Sequence, residues 1–254
     1  MPLIDTHCHL DVAAFDDDRP AVLARARAAG VSRIVVPGIT AEGWQGLLSL
    51  CEDEDGLYSA LGLHPVFLDQ HRPDDLRALE TAIARHAPVA VGEIGLDFYL
   101  PALDVERQKA LFEAQLHIAR DAGLPVLLHV RKAHDDTLAL LRRTRVTGGI
   151  CHAFNGSQQQ ARQYIDLGFK LGFGGMLTYD RSHKLHRLAR DLPLEALVLE
   201  TDAPDMPPAS HQGRRNSPEY LPEVLRALAR LREEDAADIT AQTTANAIEL
   251  LKLT

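Results

Sequence analysis

The sequence predicts an α/β chain folded as a TIM-type (β/α)8 barrel, a single domain over residues 1–254. Three observations carry that expectation. Eight short apolar runs alternate with longer amphipathic stretches along the chain, the rhythm and length of such a barrel. Several runs are β-branched and apolar throughout, as parallel strands covered on both faces require. The first run leads into no glycine-rich phosphate loop, which argues against the competing open, doubly wound sheet.

The strands are expected at Leu3–His7, Arg33–Pro37, Leu57–Leu63, Val89–Ile94, Pro125–Val130, Gly149–Ala153, Phe169–Gly174 and Leu197–Thr201. Several helices between them have readable ends. Arg19–Ala29 stops at Gly30, and a second helix starts at Thr40 or Ala41 and runs to about Asp53. Asp104 is a candidate cap for Val105–Ala122, which ends at Gly123 with Pro125 beyond. Ser157 can cap Gln158–Leu167, which stops at Gly168. The tail adds Pro218–Glu233, with proline at its start, and about Asp235–Leu251.

At 46% hydrophobic residues the chain can bury a full core. A formal net charge of −9 excludes a protein that coats nucleic acid with a broad basic surface. It leaves room for a locally positive or metal-filled cleft. Cys8, Cys51 and Cys151 form neither a zinc-ribbon pair nor an even disulfide framework, so reduced thiols are expected. No basic stretch followed by an apolar one marks a secretory signal, and no apolar run approaches the ~20 residues that span a bilayer. The expectation is a soluble, cytoplasmic protein with no membrane contact and no obligate protein partner.

Polar residues fall at the carboxyl ends of the expected strands. In Ile4-Asp5-Thr6-His7-Cys8-His9, alternate side chains of an extended strand point the same way, so His7 and His9 project together. His64 follows the third run, Glu93 ends the fourth, His129 the fifth, His152 the sixth and Asp202 the eighth. In a parallel barrel those ends converge on one mouth, where barrel enzymes place their chemistry. So many buried imidazoles and carboxylates crowded together call for a cation. Four histidines and two carboxylates exceed the three protein ligands of a single catalytic zinc, and Glu93 can bridge two ions through its two oxygens. Two divalent ions are therefore expected, with zinc, manganese or iron favoured by the imidazoles and magnesium allowed by the carboxylates. Arg131, two residues after His129, can point into the mouth or form a surface ion pair.

As a set, Ile-Asp-Thr-His7-Cys-His9, Gly62-Leu-His64-Pro65, Gly92-Glu93-Ile-Gly-Leu-Asp97, Leu128-His129, Cys151-His152 and Glu200-Thr-Asp202-Ala-Pro204 resemble the TatD family of metal-dependent hydrolases, within the wider amidohydrolase superfamily. The resemblance runs from residue 4 to about residue 250, and the continuation Asp205-Met206-Pro207 is similar to YjjV-type members. It implies a TIM barrel and deoxyribonuclease activity, either 3′-5′ exonuclease or abasic-site cleavage. By position, His7, His9, Glu93 and Asp202 would hold one metal, and Glu93, His129 and His152 the second. Asp202 would also orient or deprotonate the attacking water. His64 sits where a family histidine lines the phosphate pocket. Arg214, Arg215 and Asn216 match an Arg-Asn-x-Pro element, with a structural or a phosphate-facing role. The implied substrate is a DNA end or short single-stranded nucleic acid.

The chain also departs from the pattern. Ala153-Phe154-Asn155-Gly156-Ser157 stands where many relatives have Cys-Phe-Ser-Gly-Ser, and Phe98-Tyr99-Leu100-Pro101 where many nuclease-type members carry a basic residue. Neither touches the metal ligands; both bear on recognition of the phosphate backbone. Two further readings remain: a metal-dependent ester or amide hydrolase, such as an aminoacyl-RNA deacylase, and a non-catalytic scaffold with structural metals.

Overall fold

The computed structural model describes residues 2–254. Its eight strands form one parallel sheet in sequence order: β1 (Leu3–Asp5), β2 (Val31–Pro37), β3 (Leu57–Leu61), β4 (Ala90–Asp97), β5 (Val126–Arg131), β6 (Gly149–Cys151), β7 (Phe169–Phe173) and β8 (Leu197–Leu199). Backbone bonds across the seam, from Thr6 N to Leu199 O (3.1 Å) and from Asp202 N to His7 O (2.8 Å), bring β8 back beside β1. The expected barrel is what the chain forms.

Helices follow the strands: α1 (Arg19–Ala28), α2 (Trp44–Asp53), α3 (Asp75–His86), α4 (Val105–Ala122), α5 (His134–Thr144), α6 (Gln158–Asp166), α7 (His183–Asp191), α8 (Leu221–Arg232) and α9 (Ala236–Leu251). Asp104 caps α4 by accepting from Arg107 N, and Ser157 and Gln160 form a reciprocal capping box on α6. The sequence gives no ends for α3, α5 and α7. The first two close on Ala87 and Arg145 in left-handed conformations where glycine is the usual stop signal.

The core has two parts. Outward-facing strand residues such as Val91, Ile94 and Leu128 pack under the helices. Ile4, Val35, Ala60, Ala90, Leu127, Ile150 and Val198, one from each of seven strands, gather instead with Ala247, Leu251 and Leu253 of the tail. The tail thus closes the apolar lower barrel, leaving the polar strand ends to form the opposite mouth. No helix is long and apolar enough to cross a membrane.

One irregularity matters for the site. On β4, Val91 pairs with Val126 and Ile94 with Leu128, so three residues on β4 advance against two on β5. This bulge restores the outward face at Ile94 and turns the buried Glu93 side chain toward the mouth.

Candidate metal centre

Glu93 stands at the centre of the mouth. Its Oε2 lies 3.1 Å from His7 Nε2 and 3.4 Å from His9 Nε2. Its Oε1 lies 3.0 Å from His129 Nδ1, 3.0 Å from His152 Nε2 and 3.2 Å from His64 Nε2. Asp202 Oδ1 approaches His7 and His9 Nε2 at 3.8 Å each and His152 Nδ1 at 4.0 Å. All six expected ligands, and His64 with them, therefore meet in one place.

The seam between β1 and β8 builds one corner. The buried Asp5 carboxylate accepts from His7 N (3.2 Å), Thr201 N (2.9 Å) and Thr201 Oγ1 (2.5 Å), tying the two strands where His7 and Asp202 project. Asp202 adopts a left-handed φ of 58°, which a short acidic side chain tolerates better than most and which is common at functional sites. Beyond it, Asn216 Nδ2 donates to Thr201 O (2.8 Å) and Asp205 O (2.7 Å), fixing the loop after β8.

The opposite corner is sorted by hydrogen bonds. His64 Nδ1 accepts from Val66 N (3.1 Å), so its Nε2 carries the proton and donates to Glu93 Oε1. His129 has the reverse arrangement. Its Nε2 faces Asp97 Oδ2 at 3.0 Å, which puts the proton there and turns the Nδ1 lone pair toward Glu93. Asp97 is itself held by Tyr99 N (2.8 Å) and Leu100 N (3.3 Å), and Gln108 clamps its backbone on both sides. His64 is thus a hydrogen-bond donor to Glu93, while His129 stands between two carboxylates that raise it, and with Nε2–H held by Asp97 it would offer Nδ1 to a cation.

These contacts test whether a cation fits. His7 Nε2 and His9 Nε2 face each other at 3.3 Å beside one carboxylate oxygen, and the Nδ1 atoms of His7 and His152 have no partner. Protons alone cannot satisfy the set. Burial and the neighbouring His152 pull His7 down to about 3, and burial with the neighbouring His129 takes His64 down to about 4. At His9, burial is outweighed by Glu93 and Asp202, which lift it to about 9. Burial opposes ionisation of Glu93, yet the surrounding imidazoles hold it well below the usual carboxylate range. Burial raises Asp202 to about 6 against the pull of His152 and His9. Mixed nitrogen and oxygen donors around one ionised carboxylate are what a divalent transition metal takes. Three sets present ligand atoms within 4.8 Å of one another: His7, His9 and Asp202; His7, Glu93 and His152; His64, Glu93 and His129.

Two buried acids, Asp97 and Glu200, stand behind the ligands. Asp97 lay within the Gly-Leu-Asp motif, and the motif gave no sign of the ring it would face. Glu200, just before Thr201-Asp202, lies 3.7 Å from His152 Nδ1 and accepts from Ala153 N. Gly172 makes room for it, since a Cβ there would fall 2.1 Å from Glu200 Oε2.

Two cavities flank the cage and share His129, His152, Asp202 and Asp205. The larger, about 570 Å³, is walled mainly by Val130, Phe173, Met176, Leu177, Leu185 and Met206. The smaller, about 370 Å³, lies on the His9, His64 and Phe67 side. Arg131 reaches the rim of the larger one, with its guanidinium 3.7 Å from the Tyr99 ring centroid. Arg215 lines neither cavity. It makes a two-pronged pair with Asp18 (both 2.8 Å) and lies over Phe15, contacts that fit the structural one of its two expected roles.

A family model described as TatD related DNase matches residues 4–252. The chain belongs to this family. Like its relatives, this TatD-family chain is a metal-dependent hydrolase. It is 43% identical over 253 residues to the metal-dependent hydrolase YjjV of Escherichia coli, with 98% of both chains covered. It is 36% identical over 251 residues to the 3′-5′ ssDNA/RNA exonuclease TatD of Klebsiella pneumoniae, covering 96% of this chain and 95% of that one. The crystal structure of E. coli YjjV superposes with a TM-score of 0.96, covering 99% of this chain and 98% of that one. A TatD-family hydrolase from Entamoeba histolytica, 20% identical, shares the fold at a TM-score of 0.88, with 98% of each chain covered.

Proposed function

We propose that this chain, acting as one catalytic unit over its whole length, is a two-metal phosphodiesterase that hydrolyses DNA at a single-stranded end or an abasic site. The observation that carries the reading is the division of labour at Glu93, with one oxygen toward His7 and His9 and the other toward His129 and His152. We assign His7, His9 and Asp202 to one ion, His129 and His152 to the other, and Glu93 to both. A divalent pair, when bound, supplies a water acidified enough to attack phosphorus and positive charge for the entering and leaving oxygens.

The remaining work falls to the chain. Asp202, partly exposed, would orient the attacking water and accept its proton at Oδ2, the oxygen not turned toward His7 and His9. His64 donates to Glu93 Oε1 and keeps that carboxylate turned between the two corners. Arg131 at the rim, with its guanidinium over the Tyr99 ring, is positioned to meet a phosphate oxygen of the entering strand. The larger apolar cavity has room for the terminal nucleoside. The name of the Klebsiella relative supports a nucleic-acid substrate.

The apolar lining of that cavity also favours a second reading, hydrolysis of a carboxylic ester with an apolar acyl group. Chelator-stripped protein repleted with zinc, manganese or magnesium should be assayed on end-labelled single-stranded DNA, abasic duplex, simple esters and aminoacyl-RNA. Metal-dependent release of mononucleotides or cleavage at the abasic site is expected. Turnover confined to the carboxylic esters would replace the phosphodiesterase reading, and turnover unaffected by chelation would remove the metal reading.

A further inference from the structure

A positive stripe stands out on a chain whose formal net charge is −9. The turn after β7 and the start of α7 carry Arg181, Lys184 and Arg187, all exposed. Among the described residues, none of these three has a carboxylate within ion-pair distance, whereas Arg190 further along α7 is paired with Asp191 at 2.8 Å. Asp180 is the only carboxylate in the sequence from Met176 to Arg190.

The stripe is continuous with the mouth. Because α7 follows the carboxyl end of β7, its first turn lies at the level of the cage and later turns lead away down the barrel wall. Leu185 lines the larger cavity, and Lys184 Nζ donates to the backbone oxygen of Asn155 on the same cavity's rim. Leu188 and Ala189 are buried, which leaves Lys184 and Arg187, one turn apart, on the outward face. Arg181 precedes them, with its guanidinium 5.6 Å from the ring centroid of Tyr179.

A strand whose end occupies the cage must carry its next phosphates out across an acidic body. Exposed cations without a carboxylate partner are where those phosphates cost least to hold, because no existing ion pair has to be broken. We propose that Arg181, Lys184 and Arg187 form a track for the sugar–phosphate backbone of single-stranded nucleic acid leaving the larger cavity. The proposal rests on the phosphodiesterase reading and adds the direction in which the uncleaved strand runs.

The test compares wild type with Arg181→Gln/Lys184→Gln/Arg187→Gln and with Arg187→Glu alone, a residue whose side chain makes no hydrogen bond in the structure. Binding of a fluorescent single-stranded DNA is followed by anisotropy in chelator across a salt series, beside metal-loaded turnover of that DNA and of bis(p-nitrophenyl) phosphate. Three phosphate contacts correspond to a salt slope of about −2, which the triple variant should lose, with affinity falling about tenfold or more at low salt. Turnover of the small diester should not change. Unchanged affinity and slope in the triple variant, a parallel loss on the small diester, or no measurable binding by wild type would each overturn the track. The two readings fail separately. Wild type that binds with the expected slope but does not cleave removes the nuclease reading and leaves the track; DNA cleavage unaltered by the triple substitution does the reverse.

Discussion

The two corners of the cage reach similar ligand geometry by different means. At the β1–β8 seam, His7 and His9 lie one residue apart in the segment that continues β1, and backbone bonds with the Asp5 carboxylate bring Asp202 to them. At the β4–β5 corner, a bulge aims Glu93, and side-chain hydrogen bonds decide which nitrogen each imidazole presents. The seam is therefore fixed by main-chain structure, and the other corner by a chain of polar side chains. Substitutions should damage the two differently.

Glu93→Gln should have the largest effect, because it removes the one carboxylate that faces both corners. Hydrolysis should fall at least about 10³-fold, comparable to losing the group that activates the nucleophile. Elemental analysis should find metal lost from both corners, with far-UV circular dichroism unchanged. Full metal content in this variant would mean that Glu93 is not shared. Asp202→Asn comes next, with a loss of about 10²–10⁴-fold, the range of a general base. Metal at the β4–β5 corner should persist, and a variant with wild-type turnover would take Asp202 out of proton transfer.

The sharpest separation of the corners is Asp97→Asn. The amide can donate to His129 Nε2, which favours the tautomer with its proton on Nδ1 and spoils the lone pair aimed at Glu93. Loss of a carboxylate behind a ligating histidine typically weakens metal affinity about 10–100-fold. One ion should weaken by that factor while the seam ion is retained, as read by metal titration and cobalt absorption. Equal weakening of both ions would show that the corners are not independent.

The same contrast explains what the sequence made legible. His7 and His9 were readable because a strand's two-residue period needs no partner to put both on one face. The convergence of His129, His152 and Asp202 followed from strand ends meeting at one mouth. Glu93 was readable as a ligand, but its aim depends on a bulge, a property of two strands in register that neither strand displays alone. Asp97 and Glu200 went unassigned because which ring nitrogen faces outward is settled only by the neighbours in three dimensions. Arg215 left a phosphate-facing role open because its partner Asp18 lies 197 positions earlier, where sequence spacing carries no signal.

That pair gives the smallest expected effect, and it concerns the wall outside both corners. Arg215 holds the Asp18 carboxyl below its ordinary value through two hydrogen bonds and its charge. The group is exposed, so solvent and salt screen most of the attraction. A carboxyl depressed in the folded chain stabilises it above the unfolded value near pH 4, and the contribution is lost as pH falls through the lower folded value. Asp18→Asn should lower Tm slightly at pH 7, and the difference from wild type should shrink as pH falls below the unfolded value and vanish below the depressed folded one. High salt should shrink it as well. Metal content at both corners and turnover should stay at wild-type levels, because neither Asp18 nor Arg215 lines the cavities beside the cage. A loss of DNA turnover without a loss of stability would return Arg215 to the substrate side.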